Sequence, residues 1–263
     1  MRWAAAVALV SVMWLGGCAT AARPDPIEPW NRGVFAFNEA VDAAVIKPVA
    51  TVYQDVVPSP VRRGVTNFFA NFRDAWSAVN LFMQGRARDG LSDVARFGTN
   101  TVLGVFGLFD VASEFGLERH GEDLGQTLGR WGVGPGAYIV WPIIGPSTLR
   151  DSTDIPFDVK LSPGTLVSPD SAMYALTGVR VINQRASLLK STDLLDSIAL
   201  DKYTFVRDSY LQRRRNLVYD GNPPDEEIPY DDEPYSPDAA EAAPPAASGA
   251  SAPPPAVKPA PAR

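Results

Sequence analysis

Only one thiol and one imidazole are available for chemistry in this chain, at Cys18 and His120. A Ser-His-acid triad would have to use His120, and the body has no Gly-x-Ser-x-Gly turn to present a serine. Zinc sites usually draw on several Cys or His ligands, and no Walker-type glycine loop is present. We therefore interpret His120–Asp123 as a charged turn. A pair of converging carboxylates stays open, because acids distant in sequence can meet in a fold.

Cys18 ends an N-terminal segment that has the layout of an export signal. Met1-Arg2 precedes an apolar run of about 13 residues from Trp3 to Leu15, which is too short for a spanning helix of ~20 residues. The ending Leu15-Gly16-Gly17-Cys18 resembles a bacterial lipobox, which implies cleavage before Cys18 and acylation of its thiol. The alternative is an ordinary signal peptide with a chance cysteine. We expect residues 1–17 to take no part in the fold.

The residues after Cys18 carry a prediction about location. An Asp directly after the cysteine is an inner-membrane retention signal in some bacteria, and Ala19 and Thr20 follow here instead. The sequence therefore favours a protein that is anchored by lipid to the outer membrane. Because there is no second cysteine, no intrachain disulfide can form.

Charge and proline are concentrated at the C-terminal end. Residues 221–263 hold eight acids and two bases, so the whole net charge of −6 lies there and residues 1–220 are formally neutral. The same segment holds 12 of the 24 prolines, and it cannot bury enough apolar surface to offset the entropy of ordering. We predict a disordered tail, which is either a tether or a solvated segment without a specific role. A neutral body without a basic stripe argues against nucleic-acid binding.

Helical periodicity dominates the body, taken as one domain over residues 18–220. Between Gly64 and Gln84 apolar residues recur at i, i+3, i+4 and i+7, with polar residues on the opposite face. Strict alternation is absent, so the sequence predicts an all-α fold. Further helices are predicted over Arg32–Ile46 with a stop before Pro48, over Gly90–Thr101, from Ser168 to Leu189, and over Asp201–Tyr219.

Two apolar segments do not fit an ordinary soluble bundle. Val102–Val111 is apolar on every side but cannot span a bilayer, so it is either a buried core helix or an interfacial or re-entrant segment. Gly132–Pro146 is punctuated like a loop by Gly and Pro, yet it is nearly all apolar. An irregular apolar backbone is costly in water and in lipid unless its polar groups are satisfied. We expect this segment to pack over a cavity or at a protein–lipid boundary.

An ordered series of motifs carries a family resemblance across residues 25–220. They are Asp25-Pro26-Ile27-Glu28-Pro29-Trp30-Asn31-Arg32, Phe37-Asn38, Asn67-Phe68-Phe69-Ala70-Asn71, Asn80-Leu81-Phe82-Met83-Gln84-Gly85, Gly107-Leu108-Phe109-Asp110-Val111-Ala112 and Glu122-Asp123-Leu124-Gly125-Gln126-Thr127-Leu128-Gly129. In this order they resemble the MlaA/VacJ family of outer-membrane lipoproteins.

The resemblance implies a ring-shaped domain of amphipathic helices in the inner leaflet of the outer membrane. Such a protein would remove mislocalised phospholipid from the outer leaflet through an amphipathic pore, without an enzymatic step, cofactor or metal. Its partners would be a trimeric outer-membrane porin and a periplasmic lipid carrier.

The resemblance also assigns roles to particular residues. It implies that Asn67 and Phe68 lie where gating is sensitive to change. It also implies that an apolar hairpin over 133–146, with Val133, Tyr138, Trp141 and Pro142, borders the pore. Two other classes stay open, which are a lipid-degrading enzyme that uses His120 and a structural lipoprotein that scaffolds porins without transport.

Overall fold

A computed structural model describes residues 24–166 and 170–224. Cys18, the predicted signal peptide 1–17 and most of the predicted tail lie outside these residues. Within them, helices dominate and one small sheet is present. The α-helices are α1 Glu28–Val41, α2 Lys47–Val56, α3 Ser59–Met83, α4 Ala87–Val102, α5 Val111–Glu114, α6 Leu124–Arg130, α7 Ile155–Lys160, α8 Asp170–Ile198 and α9 Lys202–Val218.

The predicted end of the first helix before Pro48 is wrong, because the chain remains helical from α1 into α2. A π-helical segment, Asp42–Ile46, joins the two, and the Lys47 N–H donates to the carbonyl of Asp42 five residues back. Proline lacks an N–H and clashes with the carbonyl four residues earlier in a regular helix. A π-turn just before Pro48 rearranges those carbonyls, so the helix passes the proline.

The remaining helix predictions are confirmed, with shifts at the ends. The amphipathic 64–84 segment is α3, which begins earlier at Ser59 with a proline in its first turn. The last helix, α9, is capped by the Asp201 side chain, which accepts from the backbone N–H groups of Tyr203 and Thr204. The helix predicted to reach Leu189 continues as α8 to Ile198.

The apolar stretch 132–146 forms most of a two-stranded antiparallel hairpin, β1 Tyr138–Trp141 and β2 Gly145–Thr148, in which Tyr138 pairs with Thr148. Among the described residues this hairpin is the one sheet, so the all-α prediction is confirmed for the rest of the described fold. Two 3₁₀ helices, Asp151–Asp154 and Pro163–Leu166, flank α7.

Packing is organised by pairs of elements. α3 lies against α4, and α2 lies against α8 around a small apolar cluster of Ala50, Ala186 and Leu189. A second apolar cluster joins the hairpin to α9 through Tyr138, Val140 and Tyr203.

Candidate functional site

Polar residues fill much of the interior of the described chain, and apolar side chains cover much of its exterior. Sixteen polar or charged residues are buried, against twelve Ala, Val, Leu, Phe and Tyr residues. The buried polar set includes Asp74, Arg96, Asn100 and Asp151. Soluble proteins bury their large apolar residues and rarely expose large contiguous apolar patches. This distribution is typical of a surface that faces apolar surroundings.

The continuous helix α1–α2 shows the apolar exterior most regularly. Val45, Val49, Val52 and Val56 are all exposed, and their spacing of four, three and four residues places them on one face. The opposite face carries Ala50, which is fully buried against α8. The exposed face therefore forms a valine stripe about three turns long that no other part of the described chain covers.

Residues 103–109, here called the apolar loop, form the most exposed apolar segment. Of the two alternatives predicted for 102–111, the buried core helix is wrong, because the chain leaves α4 at Val102 and makes a series of turns, and the interfacial or re-entrant segment stays a prediction. Phe106 is 71% exposed. Val105 and Phe106 have φ of 53° and 55°, a left-handed conformation that costs of order 1–3 kcal/mol for a residue with a side chain. A chain that folds only to be stable in water would not expose apolar side chains on a strained backbone. The loop conformation therefore indicates a role in binding apolar surroundings.

The apolar loop is held on α3 by close backbone approach and by amide side chains. At Gly107 (φ 86°) an added Cβ would lie 2.7 Å from the Cβ of Asn71, and at Gly104 it would lie 2.1 Å from the carbonyl oxygen of Phe109. The Gly107 N–H donates to the carbonyl of Asn100 (2.8 Å). The Asn67 amide donates to the carbonyl of Leu108 (3.3 Å). Only glycine fits these two positions.

An ion network lies beneath the apolar loop, with the buried guanidinium of Arg96 at its centre. Arg96 donates to both oxygens of Asp110 (2.9 and 3.1 Å), to Asp74 (3.3 Å), to the Ser113 hydroxyl (3.2 Å) and to the carbonyl of Leu117. The Asp110 side chain also caps α5 by accepting from the Ser113 N–H. Arg96 thus fixes the C-terminal end of the loop to α3 and α4.

The hairpin is attached to α1 by two asparagines that lie seven residues apart on one helix face. Asn31 accepts from the N–H of Val140 (2.9 Å) and donates to the carbonyl of Tyr138 (3.0 Å). Asn38 accepts from the N–H of Ile143 (2.7 Å) and donates to the carbonyl of Trp141 (3.0 Å). Both amides satisfy backbone groups that the short sheet leaves unpaired. The tip beyond them exposes Ile143 and Ile144.

We expect the Asn38→Ala and Asn67→Ala variants to loosen different segments. Asn38→Ala removes both bonds to the hairpin tip and should speed amide hydrogen exchange of Ile143, with a local cost of about 1–3 kcal/mol. Asn67→Ala removes one bond to the apolar loop and should leave Ile143 unaffected. Each variant is the control for the other. Equal exchange at Ile143 in both variants would contradict the clamp assigned to Asn38.

A second ion network joins α9 to α6 and to the 3₁₀ helix that begins at Asp151. Arg214 donates to Asp151 (2.9 and 3.0 Å) and to Asp123 (2.5 and 2.9 Å). Asp123 is also the N-cap of α6. Burial alone would raise the pKa of Asp151, but the charges of Arg214 and Arg150 outweigh it and hold that pKa below its ordinary value.

This network predicts a loss of stability in acid. A lowered pKa in the folded state means that its contribution is fully present above the ordinary Asp pKa of about 3.9. The contribution is then lost as the pH falls through the lowered value. Thermal unfolding midpoints from pH 7 to pH 3 should fall more steeply for the wild type than for Asp151→Asn. Asp55→Asn, at an exposed position, is the control. Equally steep profiles for wild type and Asp151→Asn would refute the assignment.

His120 does not lie in the geometry of a serine hydrolase. Its Nδ1 contacts Asp93 Oδ1 (2.9 Å), and the Ser77 hydroxyl donates to the other oxygen of the same carboxylate. The aspartate therefore lies between serine and histidine, whereas a triad needs the histidine in the middle. The Ser77 oxygen also accepts from the N–H of Glu122 and is fully buried. Among the described residues, no group of three His, Cys, Asp or Glu is arranged to hold a metal.

The residues that the resemblance singled out lie in two of these regions. Asn67 contacts the apolar loop, and Phe68 stacks edge to face with Phe69 and Phe72 at 5.3 Å. Their gating role stays a prediction.

The hairpin residues differ in exposure. Val133 and Pro142 are exposed, the Trp141 indole donates to the Ser152 hydroxyl (2.8 Å), and Tyr138 is fully buried in the hairpin–α9 cluster. Their pore-bordering role also stays a prediction.

Sequence reasoning missed the structural parts of Asn31, Asn38 and Arg96. Asn31 and Asn38 stand in motifs that carried the family resemblance, but their partners are up to 109 positions away. Buried Asn and Arg look like solvent-facing residues in a helical pattern.

Three comparisons with known proteins agree with one another. A sequence profile described as MlaA lipoprotein matches residues 23–217. The Intermembrane phospholipid transport system lipoprotein MlaA of Shigella flexneri is 37% identical over 227 residues, which cover 82% of this chain and 88% of that protein. The protein of the same name in Escherichia coli K12 is 36% identical over 226 residues, with coverages of 82% and 88%.

A solved structure is also similar to this chain. It comes from work on the structural basis for maintenance of bacterial outer membrane lipid asymmetry. It matches with a TM-score of 0.63 and 36% identity, and the match covers 74% of this chain and 100% of that one. Among the residues described here, none of the helices is both long enough and apolar enough to cross a membrane.

Proposed function

This chain belongs to the MlaA lipoprotein family, and we propose from that membership and from its surface that it transports phospholipid between membranes and maintains lipid asymmetry. It takes mislocalised phospholipid from the outer leaflet of the outer membrane and passes it to a periplasmic carrier. The process is binding and release, with no covalent step. The chain's own residues supply an apolar exterior and a polar interior.

The observation that carries this proposal is the reversed burial pattern. A phospholipid has two apolar chains and a charged head, so a protein that conducts it needs apolar and polar surfaces side by side. The apolar loop, the valine stripe and the hairpin tip offer the first, and the polar groups are gathered inside the described chain, as in the networks around Arg96 and Asp151. A body that lies within one leaflet also accounts for apolar segments too short to span.

Several finer parts of the proposal rest on sequence and family. Cys18 is the acylated anchor. Its acyl chains bind the membrane in addition to the apolar surface of the body, since stable membrane anchoring usually needs two such attachments. The helices enclose an amphipathic pore as a ring, and a trimeric porin supports the protein in the membrane. Asn67 and Phe68 influence gating through the apolar loop that Asn67 contacts, and the hairpin from Val133 to Pro142 borders the opening.

The test is to measure outer-leaflet phospholipid in a strain that lacks this gene and in the same strain complemented with it. We expect accumulation in the deletion strain and restoration on complementation. Unaltered asymmetry, in a strain without a redundant system, would overturn transport.

Two further measurements separate the other classes. Lysolipid or fatty acid released by the purified protein, and lost in His120→Ala, would indicate an enzyme. If porins assemble normally only when the protein is present, and no lipid can be crosslinked inside the protein, the protein is a scaffold.

A further inference from the structure

A cleft of about 430 Å³ opens between the start of α3 and the middle of α8, on the side where α2 ends. Its lining includes Ser59, Arg62 and Arg63 from α3, Gln54 from α2, and Asn183 and Ser187 from α8. The volume lies in the range of ordinary ligand sites. None of the site residues discussed above lines this cleft.

The charge of the cleft is positive and unbalanced. Two arginines line it, and its lining contains no carboxylate among the described residues. The acid nearest in sequence, Asp55, follows Gln54 on α2 but does not line the cleft. The Arg63 side chain is exposed and makes no hydrogen bond or ion pair within the described chain. Both arginines line the same cleft, and the repulsion between two positive charges there would be relieved by a bound anion.

One of the two arginines is already held in position. Arg62 donates to the carbonyl oxygen of Gln54, which leaves its other N–H groups available. Behind it, the Tyr53 hydroxyl donates to Asn183 (2.9 Å), and the Asn183 amide donates to the Thr66 hydroxyl (2.8 Å). These bonds fix the back wall of the cleft across three helices. The guanidinium of Arg62 is fixed and that of Arg63 is free, and hydroxyl groups lie next to them. Together these groups can donate hydrogen bonds to the oxygens of a phosphodiester.

The surroundings of the cleft are apolar, which selects among anions. Val56, at the exposed end of α2, precedes the cleft residue Ser59 by three positions, and Val61 is exposed on the first turn of α3 next to Arg62. A free phosphate would gain nothing from these side chains. A phospholipid would place its headgroup on the arginines and its acyl chains along the valines.

We infer that the cleft between α3 and α8 is a binding seat for the phosphodiester group of a phospholipid, with Arg62 and Arg63 as its anion-binding residues. This inference rests on the proposed function and names a place where that transport holds its cargo.

The test uses the full lipidated protein in a non-ionic detergent, titrated with dihexanoyl phosphatidylglycerol and followed by phosphorus NMR. We expect Arg63→Gln to weaken binding roughly tenfold, because a charge-assisted hydrogen bond of that strength is lost. Arg63→Lys should keep part of the affinity, since it keeps the charge but not the fork of donors. Arg88→Gln is the matched control, since Arg88 is also exposed and outside the cleft.

Two competitors identify the source of the anion. Dihexanoylglycerol has the same acyl chains without the phosphate and should displace the probe poorly, as should inorganic phosphate. Competition by inorganic phosphate at the affinity of the phospholipid would overturn the lipid assignment. Binding unchanged in Arg63→Gln and in the Arg62→Gln/Arg63→Gln double variant would overturn the site.

The outcome is separable from that of the proposed function. If the gene is needed for lipid asymmetry but the arginine variants bind the probe like the wild type, the cleft is wrong and transport stands. If the gene is not needed, transport falls whatever the probe does at the cleft.

Discussion

Replacement of Arg96 by leucine should abolish the stable fold of the apolar loop region and lower the free energy of unfolding by about 3–5 kcal/mol. Arg96 is fully buried, and its guanidinium is shared among two carboxylates, a hydroxyl and a carbonyl. Leucine fills part of the space but leaves the charge of Asp110 without its main partner. The remaining guanidinium, Arg119, lies 3.6 Å from Asp110 and is itself engaged with Asp74 (2.8 Å).

The measurement is denaturant unfolding of the purified protein in detergent, with Arg88→Leu as an exposed control that should change stability little. The Arg96→Leu/Asp110→Asn double variant should recover part of the loss, because the stranded charge is removed. A single variant as stable as the wild type would mean that the network does not hold the loop. A double variant less stable than the single would mean that the cost is a packing defect rather than a buried charge.

The sequence predicted helices well where one face is apolar and the next element is helical too. The stretch from Gly64 to Gln84 follows this rule, and α3 covers nearly all of it. The rule failed at Pro48. The π-turn before it changes only which backbone carbonyl each N–H bonds, and no pattern of side chains in the sequence indicates that change. Periodicity did not show the hairpin, which only the family resemblance implied, and the reason is different. Its pairing depends on Asn31 and Asn38 of α1, more than 100 residues away.

The sequence predicted which segments of the site are apolar, but it did not predict which residues hold them in place. Val102–Val111 stood out as apolar on all sides, which left a core helix and an interfacial segment equally open. What separates the two is the environment of the segment. Its backbone turns at Gly104 and Gly107 are anchored to Asn71 and Asn100 of neighbouring helices, so its side chains project outward. Residues such as Arg96 are read from sequence as solvent-facing, because burial of a charge depends on partners that only the fold assembles.

A deletion of Asn67 and Phe68 would test the gating role that the family resemblance implies, but it would also distort the fold. Both residues lie inside the 25-residue helix α3. Removal of two helical residues rotates everything before them by about 200° relative to everything after. The deletion would therefore displace Gly64 from Leu108 and Thr66 from Asn183 together. Substitution of Asn67 and Phe68 by alanine tests the proposed gating role without this rotation.

Replacement of Phe106 by aspartate should sharply weaken the hold of the protein body on a membrane. A charged side chain in the apolar region of a bilayer costs about 2.5–3.5 kcal/mol relative to an apolar one, which corresponds to a partition roughly 100-fold weaker. Phe106 is suited to this test by its backbone. Its φ of 55° is a conformation that Asp and Asn adopt more readily than Phe, so the substitution should not destabilise the loop itself.

The measurement is flotation of the protein with phospholipid vesicles, made with a chain that begins at Ala19 and so lacks both the apolar signal segment and the acyl anchor. We expect the unacylated body to float with the vesicles, the Phe106→Asp body to remain largely in solution, and Phe106→Leu to behave like the parent. Phe106→Asn, which suits the same φ but carries no charge, should fall between them. With Cys18 intact, Phe106→Asp should float again, because the acyl chains supply the missing hold. If the charged loop binds vesicles as well as the parent, the apolar loop faces something other than lipid, and its strain and exposure would then belong to a protein partner.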